Sequence, residues 1–328
     1  MLDTFYLTLT PMLVLFCCIA IGFLLAKLGI LPDNAGKTVA KLVTWVFTPA
    51  LNFITMARYF TVKSLVGNLE LIIIGTVTVA VAVFVAITLS KVFVRKKSPE
   101  RGIYQYALTF ANFGFLGDPL VLAIFGEPML FCYKLFTLPM TVVAYTWGMS
   151  VLIPKKQGGS VLANLLNPPF IALLFGMLVG ITGLTPALPA FAVNTLESLK
   201  ACYGPLAMLL VGITVAHYNL SEMLVNKKVY VATLTRLVLL PAVYVTVASL
   251  AVLFLDGVFS LGIGTTVLFL MFFAYAGPLG MNTIVFPEAY GGNPKTGANM
   301  AIISHPLSVI TIPLLYALMV LILGAPVV

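Results

Sequence analysis

Asn112-Phe113-Gly114-Phe115-Leu116-Gly117-Asp118-Pro119 and its later echo Ala276-Gly277-Pro278-Leu279-Gly280-Met281-Asn282 decide how this chain is built. Gly114 pairs with Gly277 and Gly117 with Gly280, both 163 residues apart. Each stretch lies in the middle of a long apolar run, yet each makes a poor helix, because glycine and proline weaken a helix interior. Backbone freed at mid-membrane depth must be buried in protein or line a cavity. Matching breaks in the two halves of a chain are the sequence mark of a transporter's central site.

The surrounding composition demands lipid. Of 328 residues, 61% are apolar and 9% charged, and the mean hydropathy is +1.11; a soluble domain carries about a quarter charged residues. The net charge of +8 is not a nucleic-acid footprint, because the basic residues sit in short connectors between apolar runs. Cys17, Cys18, Cys132 and Cys202 lie inside those runs without metal-ligand spacing, so neither a metal nor a cofactor is expected. No basic region precedes the first apolar run, which therefore reads as a retained span and not a cleavable signal.

Runs of about 20 apolar residues predict ten spans: Thr4–Ala26, Thr38–Ala57, Leu69–Val92, Ile103–Phe125, Met129–Ile153, Leu165–Gly183, Ala192–Ala216, Val229–Leu255, Leu261–Pro287 and Thr296–Leu323. The odd-numbered connectors hold thirteen Lys and Arg residues, against four (Arg58, Lys63, Lys134 and Lys200) in the even ones. That bias puts the odd connectors in the cytoplasm and both termini outside the inner (plasma) membrane.

Four ordered pairs mark an internal repeat: Pro49 with Pro205, the two glycine stretches, Gly126-Glu127-Pro128 with Gly292-Asn293-Pro294, and Pro139 with Pro306. Five spans per half is an odd number, so the second half enters the membrane from the opposite side. The expected fold is an all-α polytopic membrane protein of two inverted five-helix repeats, residues 1–153 and 164–328, joined by the polar Lys155–Ser160 link.

Asp is a favoured N-cap and Pro a favoured first helical residue. Asp118-Pro119 therefore predicts the start of a second half-helix, and Gly277-Pro278 another. Two such N-termini at one midplane region favour an anion such as a carboxylate. Asn112, Asn282 and Thr283 supply neutral donors beside the backbone of Phe113, Gly114, Gly117, Gly277 and Pro278. The glycines also suit close helix crossing. Asn52 either lines the cavity or satisfies the carbonyl freed by Pro49. Asp118 reads as an N-cap or as a coupling acid that takes a proton or sodium. Arg236 snorkels, pairs with Asp118 or meets the substrate anion. His305, whose repeat partner is Leu138, relays a proton, binds substrate or bonds a neighbouring helix.

With these motifs the chain resembles the auxin efflux carrier family along essentially its whole length. The likeness rests on Pro49-Ala50-Leu51, Pro205-Leu206-Ala207, the stretch from Asn112 to Leu120, Asn167-Pro168, Gly277-Pro278-Leu279-Gly280 and Phe286-Pro287-Glu288-Ala289-Tyr290. It implies broken, crossing helices four and nine, and an elevator in which helices one, two, six and seven stay fixed while the rest move. It also implies organic-anion substrates: auxin in plants, malate, malonate and similar carboxylates in bacteria. The short central link fits the bacterial branch. Plant members carry a proline in both breaks; here Ala111 stands in that place in span four, and Gly114 is expected to supply the break. Asp118 stands where many relatives are apolar.

The leading reading is a secondary transporter of a small organic anion in a lipid bilayer, with Asp118, His305 and Arg236 as coupling candidates. The alternatives are a sodium-coupled symporter like the bile-acid carriers and a non-transporting sensor. An enzyme is not expected: the chain has no HExxH, no mid-depth Asp pair and no Ser–His constellation. A homodimer is compatible with the chain, whose sequence leaves the oligomeric state open.

Overall fold

In the computed structural model, residues 2–95, 98–153, 166–217, 227–259, 264–290 and 295–324 are described. The Lys155–Ser160 link, Lys96, Lys97, the first residues of expected spans six and nine, and Gly292-Asn293-Pro294 lie outside them. Among the described residues the chain is helical, with one isolated bridge and no named strand.

Besides the short helices Val62–Gly67 and Thr185–Ala187, the helices are α1 (Leu2–Lys27), α2 (Ala35–Tyr59), α3 (Leu69–Phe93), α4 (Pro99–Thr109), α5 (Phe113–Leu152), α6 (Pro168–Ile181), α7 (Ala190–Ala216), α8 (Lys227–Leu234 continuing to Phe259), α9 (Thr266–Tyr275), α10 (Asn282–Tyr290) and α11 (Lys295–Leu323). Seven of them are long and apolar enough to cross a membrane; α6 and α9 are shorter apolar helices. Large apolar side chains such as Val14, Trp45, Phe84 and Ile322 are exposed, a surface suited to lipid. The protein is a multi-pass membrane protein.

Local sequence explains the boundaries. Ser98 caps α4 and Asn167 caps α6, each followed by proline at the first helical position. Expected spans four and five are divided by Gly126, whose φ of 81° suits glycine alone. Spans four and nine are each cut in two, by residues 110–112 and 276–281 respectively.

Three prolines inside helices share one solution. Pro49, Pro119 and Pro241 each follow, by two residues, the end of a π turn: Val43–Phe47, Phe113–Gly117 and Thr235–Leu239. A helical proline collides with the carbonyl four residues back. That carbonyl belongs to Trp45, Phe115 or Leu237, the middle residue of each turn, and the wider coil moves it aside.

Glycines let helices touch backbone to backbone, as in membrane interiors generally. A Cβ on Gly22 would strike the Leu209 carbonyl, and one on Gly212 the Ile19 carbonyl, joining α1 to α7. Gly176 of α6 lies against the Phe53 carbonyl of α2 and Gly180 against the Phe60 carbonyl just past its end, each 2.5 Å from where a Cβ would stand.

Candidate functional site

The two breaks meet. Phe110, at φ −111° and ψ 121°, ends α4 in extended backbone. Ala111 then forms an antiparallel bridge with Leu279, and the Asn112 N–H donates to the Pro278 carbonyl at 2.8 Å. Small residues make this approach possible. A Cβ on Gly277 would lie 3.3 Å from that of Ala111, and one on Gly280 would lie 3.0 Å from the Ala111 carbonyl.

This geometry corrects the expected helix starts. Helical backbone begins at Phe113, with Asn112 (φ −77°, ψ 53°) at the cap position and its carbonyl accepting from Leu116 and Gly117 N–H. Asp118 is thus inside the helix and caps nothing. The break falls at Ala111–Asn112, not at Gly114, because the crossing bond itself holds the chain extended there. The second half-helix starts at Asn282, not at Gly277-Pro278, since residues 277–281 form the other strand of the crossing.

Consecutive residues of α11 hold the two strands. The Leu279 N–H donates to Ser304 Oγ at 3.1 Å, and Asn112 Nδ2 lies 3.4 Å from His305 Nε2. His305 Nδ1 is 2.9 Å from the Ala301 carbonyl. A carbonyl only accepts, so Nδ1 carries the hydrogen and Nε2 faces the Asn112 amide as an acceptor. On the far side, Asn282 Nδ2 donates to the Tyr106 hydroxyl at 3.0 Å. The Tyr133 hydroxyl donates to the Phe113 carbonyl at 3.0 Å and lies 3.4 Å from that of Phe273. It lies within clashing distance of where a Cβ of Gly117 would stand.

The structure therefore brings Asn112, Phe113, Gly277, Pro278 and His305 together, with Gly114, Gly117 and Asn282 on the adjoining half-helix starts. Thr283 spends its hydroxyl on the Gly280 carbonyl at 2.7 Å. Asn52 donates to the Pro169 carbonyl at 2.9 Å, tying α2 to α6 and leaving the carbonyl freed by Pro49 to the π turn. Gly114 differs from its neighbours: a Cβ there meets nothing within 4 Å. Close packing does not explain this glycine. Gly114→Ala is expected to leave the melting temperature within about 2 °C of wild type, a surface-like change; a fall in transport at unchanged stability would mark the open space as a substrate path.

Two charges escaped the sequence reading. Lys134, counted there as a connector residue, is buried within α5 and pairs with the fully buried Asp118. Its signal was a lone cation five residues inside an expected apolar span. Lys200, likewise counted as a connector residue, is 6% exposed in α7. It bonds Glu127 and also contacts Glu197 at 3.2 Å. Arg58 of α2 completes this network, at 2.7 Å from both Glu127 and Glu197. Arg236 does not snorkel. It is 2% exposed, and its Nη1 donates to the Tyr275 carbonyl at 2.6 Å.

Comparison with known proteins identifies the family. The family model described as a membrane transport protein matches residues 7–316. An uncharacterized transporter of Methanocaldococcus jannaschii is 23% identical over 210 residues, which cover 62% of this chain and 68% of the relative. A second uncharacterized transporter, from Methanothermobacter thermautotrophicus, is 26% identical over 202 residues, covering 60% of this chain and 64% of the relative. The chain belongs to the membrane transport protein family, that of the auxin efflux carriers.

Proposed function

We propose that this chain is a secondary transporter that carries a small organic anion past the crossing of its two broken helices. The substrate class is a mono- or dicarboxylate such as malate or malonate, or an auxin-like acid. One observation carries the reading: the Asn112 N–H bond to Pro278, which sets the starts of α5 and α10 beside one another within an apolar chain. Free N–H groups and the dipole at helix starts favour a negative group. Asn112, Asn282 and His305 then orient the anion at the backbone of Gly114, Gly277 and Pro278. Asn52, Phe113, Gly117 and Thr283 support the site, since their described polar contacts go elsewhere.

In this reading the ten spans form two inverted repeats, residues 1–153 and 164–328. Helices α1, α2, α6 and α7 are the scaffold, and α3–α5 with α8–α11 move as an elevator. The glycine contacts joining α1 to α7 and α2 to α6 support a rigid scaffold. The Glu127 network supports the division, because Arg58, Glu197 and Lys200 stand on scaffold helices and Glu127 on the moving part. The Arg58–Glu127 pair is partly exposed on both sides and therefore weak, which suits a contact broken in each cycle. Counting Lys134 and Lys200 as helix residues strengthens the charge bias, which favours both termini outside the inner membrane.

The Asp118–Lys134 pair bears on coupling. Its tethered ammonium already supplies the cation that a sodium ion or proton would bring to this carboxylate. The pair therefore favours anion transport without sodium at Asp118 over the bile-acid-carrier alternative.

Flux of labelled malate, malonate and auxin into proteoliposomes tests the proposal. Wild-type flux should exceed that of empty vesicles, persist when choline replaces sodium, and fall by about tenfold or more in Asn112→Ala, a loss of one charge-assisted contact in a dry site. Unchanged flux in Asn112→Ala removes the crossing from the path. Abolition by choline restores the sodium reading, and binding without flux identifies a sensor.

A further inference from the structure

One stretch of α8 carries three polar side chains whose buried atoms have no partner: Thr233 Oγ1, Arg236 Nε and Nη2, and the Tyr244 hydroxyl. Arg236 stands in the π turn Thr235–Leu239, and Thr233 is three residues before it, so the two share a helix face. The Tyr244 ring packs edge-on to Tyr275 with centroids 5.0 Å apart. Tyr275 is also the residue whose carbonyl takes Arg236 Nη1. Arg236 and Tyr244 thus converge on the end of α9, two residues before Gly277 and the crossing.

The bond to Tyr275 has a structural explanation. The last carbonyls of a helix lack intrahelical donors and carry its negative end, so a cation there is favourable. That accounts for Nη1 alone. Nε and Nη2 lie on one edge of the planar guanidinium, and that edge presents two parallel N–H groups matched to the two oxygens of a carboxylate. A guanidinium keeps its charge in proteins, and a buried charge without a counter-ion is strongly unfavourable. Among the described side chains no carboxylate lies within ion-pair distance of Arg236, and Asp118 is engaged by Lys134.

We propose that the free edge of Arg236 is a two-oxygen anion subsite, with Tyr244 and Thr233 as neutral donors, and that its occupant is a carboxylate of the transported anion. The subsite rests on the transporter reading for that occupant, although its chemistry would equally hold a small resident carboxylate. A single-centred anion such as chloride would leave half of the edge unused. The anion would meet a bidentate cation on one side and the helix starts of the crossing on the other. Charge selection is then separated from the backbone contacts that any polar solute shares.

The test compares wild type with Arg236→Lys and Tyr244→Phe, purified in detergent and reconstituted. Lysine keeps the charge but has no two-donor edge. Arg236→Lys is expected to stay folded and to lose malate affinity by about tenfold or more, the cost of one good bidentate contact. Tyr244→Phe leaves the cation and its cap in place and should weaken malate by about tenfold or more, as for one hydrogen bond to a charged group. If Arg236→Lys does not fold, Tyr244→Phe alone decides. Malate affinity within twofold of wild type in the folded variants overturns the subsite. Formate that stabilises wild type but not Arg236→Lys, without competing with malate, marks a resident anion and overturns the assignment to substrate. The readouts separate the two proposals. Flux lost in Asn112→Ala but kept in Arg236→Lys defeats only the subsite; Arg236-dependent binding without flux of any carboxylate defeats only the transporter reading.

Discussion

Lys134→Met is expected to lower the melting temperature by about 10 °C, from a loss on the order of 3–5 kcal/mol. Asp118 is 2% exposed and its second oxygen, Oδ1, is buried with no partner. Lys134 is therefore the carboxylate's only described ion-pair partner. Removing the ammonium strands a negative charge in the protein interior, which is the costly way to break a buried pair. Removing both charges is not. The double variant Asp118→Leu with Lys134→Met should recover most of the loss, since apolar replacement of a buried pair is often neutral or stabilising. Thermal unfolding of the three purified proteins checks this. Equal destabilisation by single and double variants would mean that the two side chains act independently. Flux in the double variant also asks whether the pair serves transport or only the fold.

Gly117→Ala is expected to cost about 1–3 kcal/mol, the range for overpacking a filled site, and to depress carboxylate flux. The added methyl comes within clashing distance of the Tyr133 hydroxyl, which holds the Phe113 carbonyl and approaches that of Phe273. A hydroxyl has one hydrogen, so these carbonyls from the two broken helices share a single donor. Tyr133→Phe should cost about 1 kcal/mol by losing that bond. It also clears the space the methyl needs, so Gly117→Ala should be milder in the Tyr133→Phe background than alone. A double-variant cycle by thermal unfolding measures the coupling. Strict additivity would show that the methyl and the hydroxyl never compete.

The apolar runs made most helices legible, because lipid imposes length and composition on each one. Leu69–Val92 differs from α3 by one residue, and Thr296–Leu323 from α11 by one. The glycine stretches located the crossing to within a few residues, because glycine and proline weaken a helix at that depth. What stayed hidden was long-range pairing. Asp118-Pro119 has the local signature of a helix start, but the Asn112 bond to Pro278 starts the helix at Phe113, five residues before Asp118. No rule of local propensity contains a partner 166 residues away. Lys134 was misread because a lone cation near the end of an apolar run resembles a connector charge until its acid is found. Ser304 gave no signal beyond its place next to His305.

Three of the four described π turns, the ones followed by a proline, have a consequence for descent; the fourth, Ala144–Gly148, has no such proline. A π turn holds one residue more than an α-helix of the same rise, so each is a single-residue insertion stored inside a helix instead of in a loop. An extra residue swings everything on one side of it by about 100°. Such an insertion survives where a proline two residues later needs the room. In relatives, single-residue gaps should therefore fall mid-helix at Val43–Phe47, Phe113–Gly117 and Thr235–Leu239. Each gap should coincide with the loss of Pro49, Pro119 or Pro241. At the third position, closing the gap would also turn Arg236 off the face it now shares with the end of α9, so the proline and the arginine should be inherited together.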